Sequence, residues 1–186
     1  EEIAADIVEK AKELDVCGYE IERSCIRFIA MEQPLATDLM YIESSIRVIS
    51  HVKRIAYLCR NIAESAATIE GIKVSNKIMG DLEYMADYVQ IMLTRGFGSF
   101  CNQDISVARE LASDDDKVDD LFDIILSHTT ELLTEKTQNA LEIVNIIFIA
   151  RYLERIADRV VNIGERVIFI NTHKRPHIEE LKKEEQ

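Results

Sequence analysis

The chain has 186 residues and a formal net charge of −12. That length suffices for a domain with a substantial core, and that charge argues against general nucleic-acid binding, which needs a basic surface to displace phosphate counterions. Six glycines, two prolines and no tryptophan argue against a turn-rich architecture and predict a few long helices joined by short loops.

The first predicted helix runs from Glu2 to about Glu32, with Ile3, Ile7, Leu14, Cys17, Ile21, Cys25 and Phe28 at helical spacing. Gln33-Pro34 ends it, because proline has no amide hydrogen and displaces the preceding residue from the α region. Thr37 is the predicted N-cap of a second helix, which runs to about Glu70 and ends at Gly71 as a C′ glycine. A third helix starts at Ser75 and passes Ile78, Leu82, Met85, Val89 and Met92; Gly96 and Gly98 are expected to break or bend it. The fourth spans about Gln103 to Thr134, and the fifth about Gln138 to Thr172. No segment alternates with period two over strand length, so the expected class is all-α, built as up-down bundles. The polar segment 173–186 reads as a loose tail.

The four cysteines form no CxxC pair, which predicts buried reduced thiols rather than a disulfide framework or a zinc site. The richest apolar run, 143–150, contains Asn145 and is far shorter than a membrane span, and no signal-peptide pattern stands out. A cytoplasmic protein, peripheral to a membrane at most, is the expectation.

The chain repeats itself. Residues 48–64, VISHVKRIAYLCRNIAE, align with 149–165, IARYLERIADRVVNIGE, at an offset of 101, pairing Arg54 with Arg155 and Asn61 with Asn162. The preceding helices align at an offset of 104, pairing Ile7 with Leu111, Leu14 with Val118 and Ile21 with Ile125. Two units follow, at 1–70 and 75–172. The second has three helices and the first only two, as though the first helix of repeat 1 were missing from the chain or replaced by another element. An apolar seam left without its third helix should be exposed or covered by a partner chain. A homo-oligomer is therefore expected.

The second unit also carries two carboxylate pairs at i,i+4: Asp115 with Asp119, and Glu154 with Asp158. Such pairs share a helix face, and two on neighbouring antiparallel helices can converge on a cation. Crowded carboxylates raise one another's pKa, which a hard divalent ion relieves; iron and manganese also accept this donor set. Solvated acidic faces, or ion pairs with Arg151, Arg155 and Arg159, are the competing reading. The histidines form no HExxH or Glu-x-x-His pattern, and GxGxxG, Walker A and GxSxG motifs are absent.

The segments QPLATDLMYIESSIRVISHVKRIAYLCRNIAE (33–64), LERIADRVVNIGE (153–165), IVEKAKELDVCGYEI (7–21) and ASDDDKVDDLFDI (112–124) resemble the PhoU family. The resemblance covers all but the polar tail. It implies tandem three-helix bundles related by a pseudo-twofold. It implies a non-enzymatic regulatory adaptor that negatively regulates phosphate uptake and phosphate-starvation signalling, with the ATPase subunit of a Pst-type ABC transporter and a sensor histidine kinase as partners; the net charge of −12 argues against direct nucleic-acid contact. It also implies metal binding through one pair of E/D-x-x-x-D motifs per bundle. Carried over by position, the ligands are Asp115, Asp119, Glu154 and Asp158, holding a divalent or multinuclear centre of Fe, Zn, Mn, Ni or Mg. The first unit departs from the family: Ala11 and Asp15 stand where two acids are usual, Lys53 and Tyr57 replace the second acid pair, and His51 stands where an acid is often found. A lysine ammonium there repels a cation. The alternatives are a metal-free helical dimerisation module of a larger transcriptional or ion-transport regulator, and a carboxylate-bridged metalloenzyme.

Overall fold

A computed structural model of the protein describes residues 2–69, 75–135 and 140–174. Five helices lie among the described residues: α1 (Glu2–Glu32), α2 (Ala36–Thr68), α3 (Asn76–Asn102), α4 (Ile105–Glu135) and α5 (Ala140–Thr172). The all-α class and the five predicted helices hold. The tail expectation beyond Lys174 and the C′ role of Gly71 lie outside the described residues.

Helix ends differ in detail from expectation. The N-cap of α2 is Leu35, not Thr37; it makes no side-chain cap, and the Asp38 amide bonds to the Leu35 carbonyl at 3.2 Å. Asp104 does cap α4: its Oδ1 accepts from the Ser106 amide at 2.9 Å and the Val107 amide at 3.2 Å. These bonds to the ionised form, the Ser106 hydroxyl first, hold the Asp104 carboxyl below its ordinary pKa. Gln103 supplies the left-handed turn between α3 and α4 at φ 54°.

The glycines of α3 do not break it. The helix runs unbroken through Gly96 and Gly98, and Gly96 is needed for another reason. A Cβ there would lie 2.4 Å from Val160 Cγ1, so its absence lets α3 lie close against α5.

α5 is the hub. It packs on α2, α3 and α4, whereas α1 packs on α2 alone. Its buried stripe runs from Ile143 through Ile156 and Val160 to Ile170; Ile146 to Ile163 join Leu58, Met85, Met92, Leu111, Val118 and Ile125 in the main core, and Val167 and Ile168 pack with Ala108 and Ala112 of α4. The α2–α5 pair is antiparallel: Glu43 meets Arg166 and Met40 meets His173, so the α2 number rises as the α5 number falls.

The two units differ in cover. In the second, α3 lies on α4 and α5, and Val118 and Ile125 are fully buried. Their repeat counterparts in α1, Leu14 and Ile21, are each 40% exposed. Gly18 is the one buried residue of α1. An open groove of about 510 Å³ runs along this face, lined by Cys17, Ile21, Cys25, Phe28 and Ile42. The cysteines correct the expectation of buried thiols: Cys17 and Cys101 are exposed and Cys25 and Cys59 half-buried, all reduced. No described helix is long and apolar enough to cross a membrane.

Candidate functional site

The four predicted carboxylates lie on α4 and α5, which pack together. Asp115 is buried, Asp119 and Asp158 are exposed, and the Glu154 side chain is 15% exposed. The fields of Asp119 and Asp158 both reach Glu154. Burial is the largest effect on that carboxyl; it and the two aspartates raise the pKa, while the Arg151 guanidinium opposes them. Arg151 donates to both Glu154 oxygens and lies over the Phe122 ring of α4, 5.5 Å from its centroid. Three of the four predicted ligands therefore share one electrostatic neighbourhood, and Asp115 sits one turn before Asp119 on the same helix.

The arrangement is not a preformed metal cage. Among the described residues, no group of three or more His, Cys, Asp or Glu stands close enough to hold a metal ion. Arg151 already supplies positive charge at Glu154, and a cation would have to displace it. The donor set suits a hard ion.

In the first unit, Lys53 occupies the position equivalent to Glu154. Its ammonium lies 3.6 Å from both Asp15 and Glu22 on α1. Its stem fills the notch above Gly18, where an added Cβ would come within 2.9 Å of Lys53 Cδ. The lysine thus provides internally the positive charge between two acids. The position-by-position comparison found Asp15 but missed Glu22, which lies seven residues on, two turns along the same face of α1.

Sequence reasoning also missed the polar seam between α3 and α4. Arg95 of α3 pairs with Glu110 and Asp114 of α4. The Tyr88 hydroxyl donates to Asp114 Oδ1 at 2.7 Å, and Asp81 meets His128 at 3.1 Å. Asp114, the first acid of the Asp114–Asp116 run, is a buried structural anchor. The only signal in sequence was its position one residue before Asp115, which does not tell an anchoring acid from a ligand.

Fold and site together define an acidic, all-α repeat protein whose polar chemistry is set on the faces of long packed helices. The chain belongs to the PhoU family: it matches the PhoU domain over residues 1–66 and again over 82–167. It is 44% identical over 176 residues to the phosphate-specific transport system accessory protein PhoU homolog 1 of Methanothermobacter thermautotrophicus, covering 95% of this chain and 80% of that one. It is 31% identical over 173 residues to the PhoU homolog of Zymomonas mobilis, covering 93% and 73%. The crystal structure of PhoU from Pseudomonas aeruginosa superposes with a TM-score of 0.87 at 26% identity, over 93% of this chain and 83% of that one. The PhoU structure from Streptococcus pneumoniae has the same fold, with a TM-score of 0.87 at 22% identity.

Proposed function

We propose that this protein is a cytoplasmic, non-enzymatic accessory regulator of a phosphate-specific transport system, restraining phosphate uptake and starvation signalling. The observation that carries the proposal is the 44% identity to a protein named as a phosphate-specific transport system accessory protein, spanning nearly the whole chain. The ATPase subunit of the transporter and a sensor kinase are the proposed partners, and self-association through the open α1 face is part of the proposal. The test is complementation. In a strain lacking its own PhoU homologue, expression of the protein should lower radiolabelled phosphate uptake and silence a phosphate-starvation reporter. Unchanged uptake and unchanged reporter output, with the protein present at normal levels, would refute it.

A second element is the cation centre at Asp115, Asp119, Glu154 and Asp158. The observation in its favour is the convergence of the Asp119 and Asp158 fields on half-buried Glu154. A bound divalent ion would reverse the sign of that perturbation, pulling the Glu154 pKa below its ordinary value. Titration of ¹³C-labelled Glu154 with and without Mg²⁺ or Zn²⁺, beside elemental analysis of protein purified without chelator, tests it. A Glu154 pKa that stays raised at saturating metal, in protein that carries none, would rule the centre out.

A further inference from the structure

The α2–α5 seam carries a second charged site, opposite in sign to the carboxylates. We propose that Arg47, His51, Arg159 and Arg166, facing one another across the antiparallel α2–α5 packing, bind a small tetrahedral oxyanion of the phosphate type.

The register sets the cluster. Arg166 Nη1 lies 3.4 Å from Glu43 Oε2, fixing which turns of the two helices face each other. Counting one turn at a time from that contact brings Arg47 and His51, one turn apart on α2, level with the turns of α5 that lead back to Arg159. Arg166 is 8% exposed, held by Glu43 and by the face of Phe169, 5.5 Å from the ring centroid. A guanidinium anchored on two sides is pre-organised and loses little freedom on meeting a ligand. Arg47 pairs with the same Glu43 carboxylate.

Arg159 supplies the strongest pointer to a ligand. Its Nε is buried and has no hydrogen-bond partner among the described residues. A desolvated charged donor without an acceptor is costly, and such groups call for a bound ion or water. Arg47 and Arg166 share the Glu43 carboxylate, and the fields of Arg47, Arg159 and Arg166 all reach His51, a concentration of positive charge in a chain whose net charge is −12. That concentration of guanidiniums suits a dianion such as hydrogen phosphate, and the planar guanidinium fork matches its oxygens two at a time. His51 adds a neutral partner: burial first, and then Arg159, Arg166 and Arg47, hold its pKa down to about 4. At neutral pH the ring therefore keeps a free acceptor nitrogen, to which the protonated oxygen of hydrogen phosphate can donate.

The charge of the seam does not depend on any role at a transporter, so its test stands apart from complementation. The ligand could be free phosphate or a phosphoryl group carried by another molecule. Calorimetric titration with inorganic phosphate and, separately, with phenyl phosphate distinguishes these sources. Preference for the inorganic ion assigns the site to free phosphate, and preference for the ester assigns it to a phosphorylated partner. Arg159→Gln should weaken binding roughly tenfold or more, as expected for loss of a charged hydrogen bond. Arg54→Gln, at an exposed arginine stacked on Tyr57 at 4.9 Å, should leave it unchanged. Arg166 is too well anchored for its removal to be a clean test, so Arg47→Gln is the second variant, checked for native helicity by circular dichroism. NMR should show the His51 pKa rising from about 4 as the anion saturates. Absence of heat with both ligands up to about 10 mM, equal affinity in the wild type and Arg159→Gln, or an unmoved His51 resonance at saturation would each overturn the assignment.

Discussion

Gly96→Ala should destabilise the protein although alanine is the better helix former. The substitution sits inside α3, about two turns before its C-terminus, where replacing glycine gains about 1 kcal/mol from backbone entropy. Against that, the new Cβ would lie 2.4 Å from Val160 Cγ1. Val160 is fully buried and β-branched, so its methyl cannot swing aside within the helix. Either the side chain leaves its rotamer or α3 and α5 move apart, an overpacking cost of about 1–3 kcal/mol. The net is about 0–2 kcal/mol of destabilisation, or a Tm lower by up to about 8 °C at 2–4 °C per kcal/mol for a chain of this size. Gly98→Ala, two residues on in the same helix, has nothing within 4 Å of the new methyl and should raise Tm by about 2–4 °C. Thermal denaturation followed at 222 nm measures both. Combining Gly96→Ala with Val160→Ala should remove the clash, so the glycine substitution costs nothing further in that background. If Gly96→Ala raises Tm as Gly98→Ala does, the close approach of α3 to α5 is not what the glycine serves.

Three further outcomes are expected. His51 has a folded pKa of about 4 against 6.5 unfolded, so its neutral form favours folding; that stability is complete above pH 6.5 and is lost as pH falls from 6.5 toward 4. His51→Gln should flatten the denaturant midpoint over that window, with Glu43, Arg47, Arg159 and Arg166 left in place. Lys53→Met keeps the stem over Gly18 and should cost under about 1 kcal/mol. Lys53→Glu, by contrast, places a third carboxylate near Asp15 and Glu22 and should melt lower at pH 7, the gap closing in acid; equal melting of the two variants at pH 7 would count against a charge role for Lys53. Finally, light scattering should find the protein self-associated, and Ile21→Glu with Phe28→Glu on α1 should return a monomer. A wild type that is already monomeric at working concentration removes that expectation.

What the sequence by itself determined lies within single helices. The spacing of Ile3, Ile7, Leu14 and Ile21 and the proline at position 34 bound α1 at Glu2–Glu32, as observed, because helix periodicity and the lack of a proline amide are properties of the local chain. The internal repeat, and the segments at 33–64 and 153–165 that resemble the PhoU family, are likewise legible because they need only the order of residues. Tertiary structure decided the rest. Gly96 looked like a breaker, and only the approach of Val160 makes it a contact point. Asp114 and Asp115 are adjacent in sequence, yet only packing against Tyr88 and Arg95 makes Asp114 an anchor of the α3–α4 seam. Glu22 joins Lys53, and Arg159 and Arg166 join Arg47 and His51, because of how α1 and α5 are rotated and registered against α2. Rotation and register are set by which side chains interlock between helices, and a one-helix pattern does not contain them. Leu14 and Val118 show the same limit: they occupy matching places in the repeat, one exposed and one buried, because α3 covers one unit and not the other.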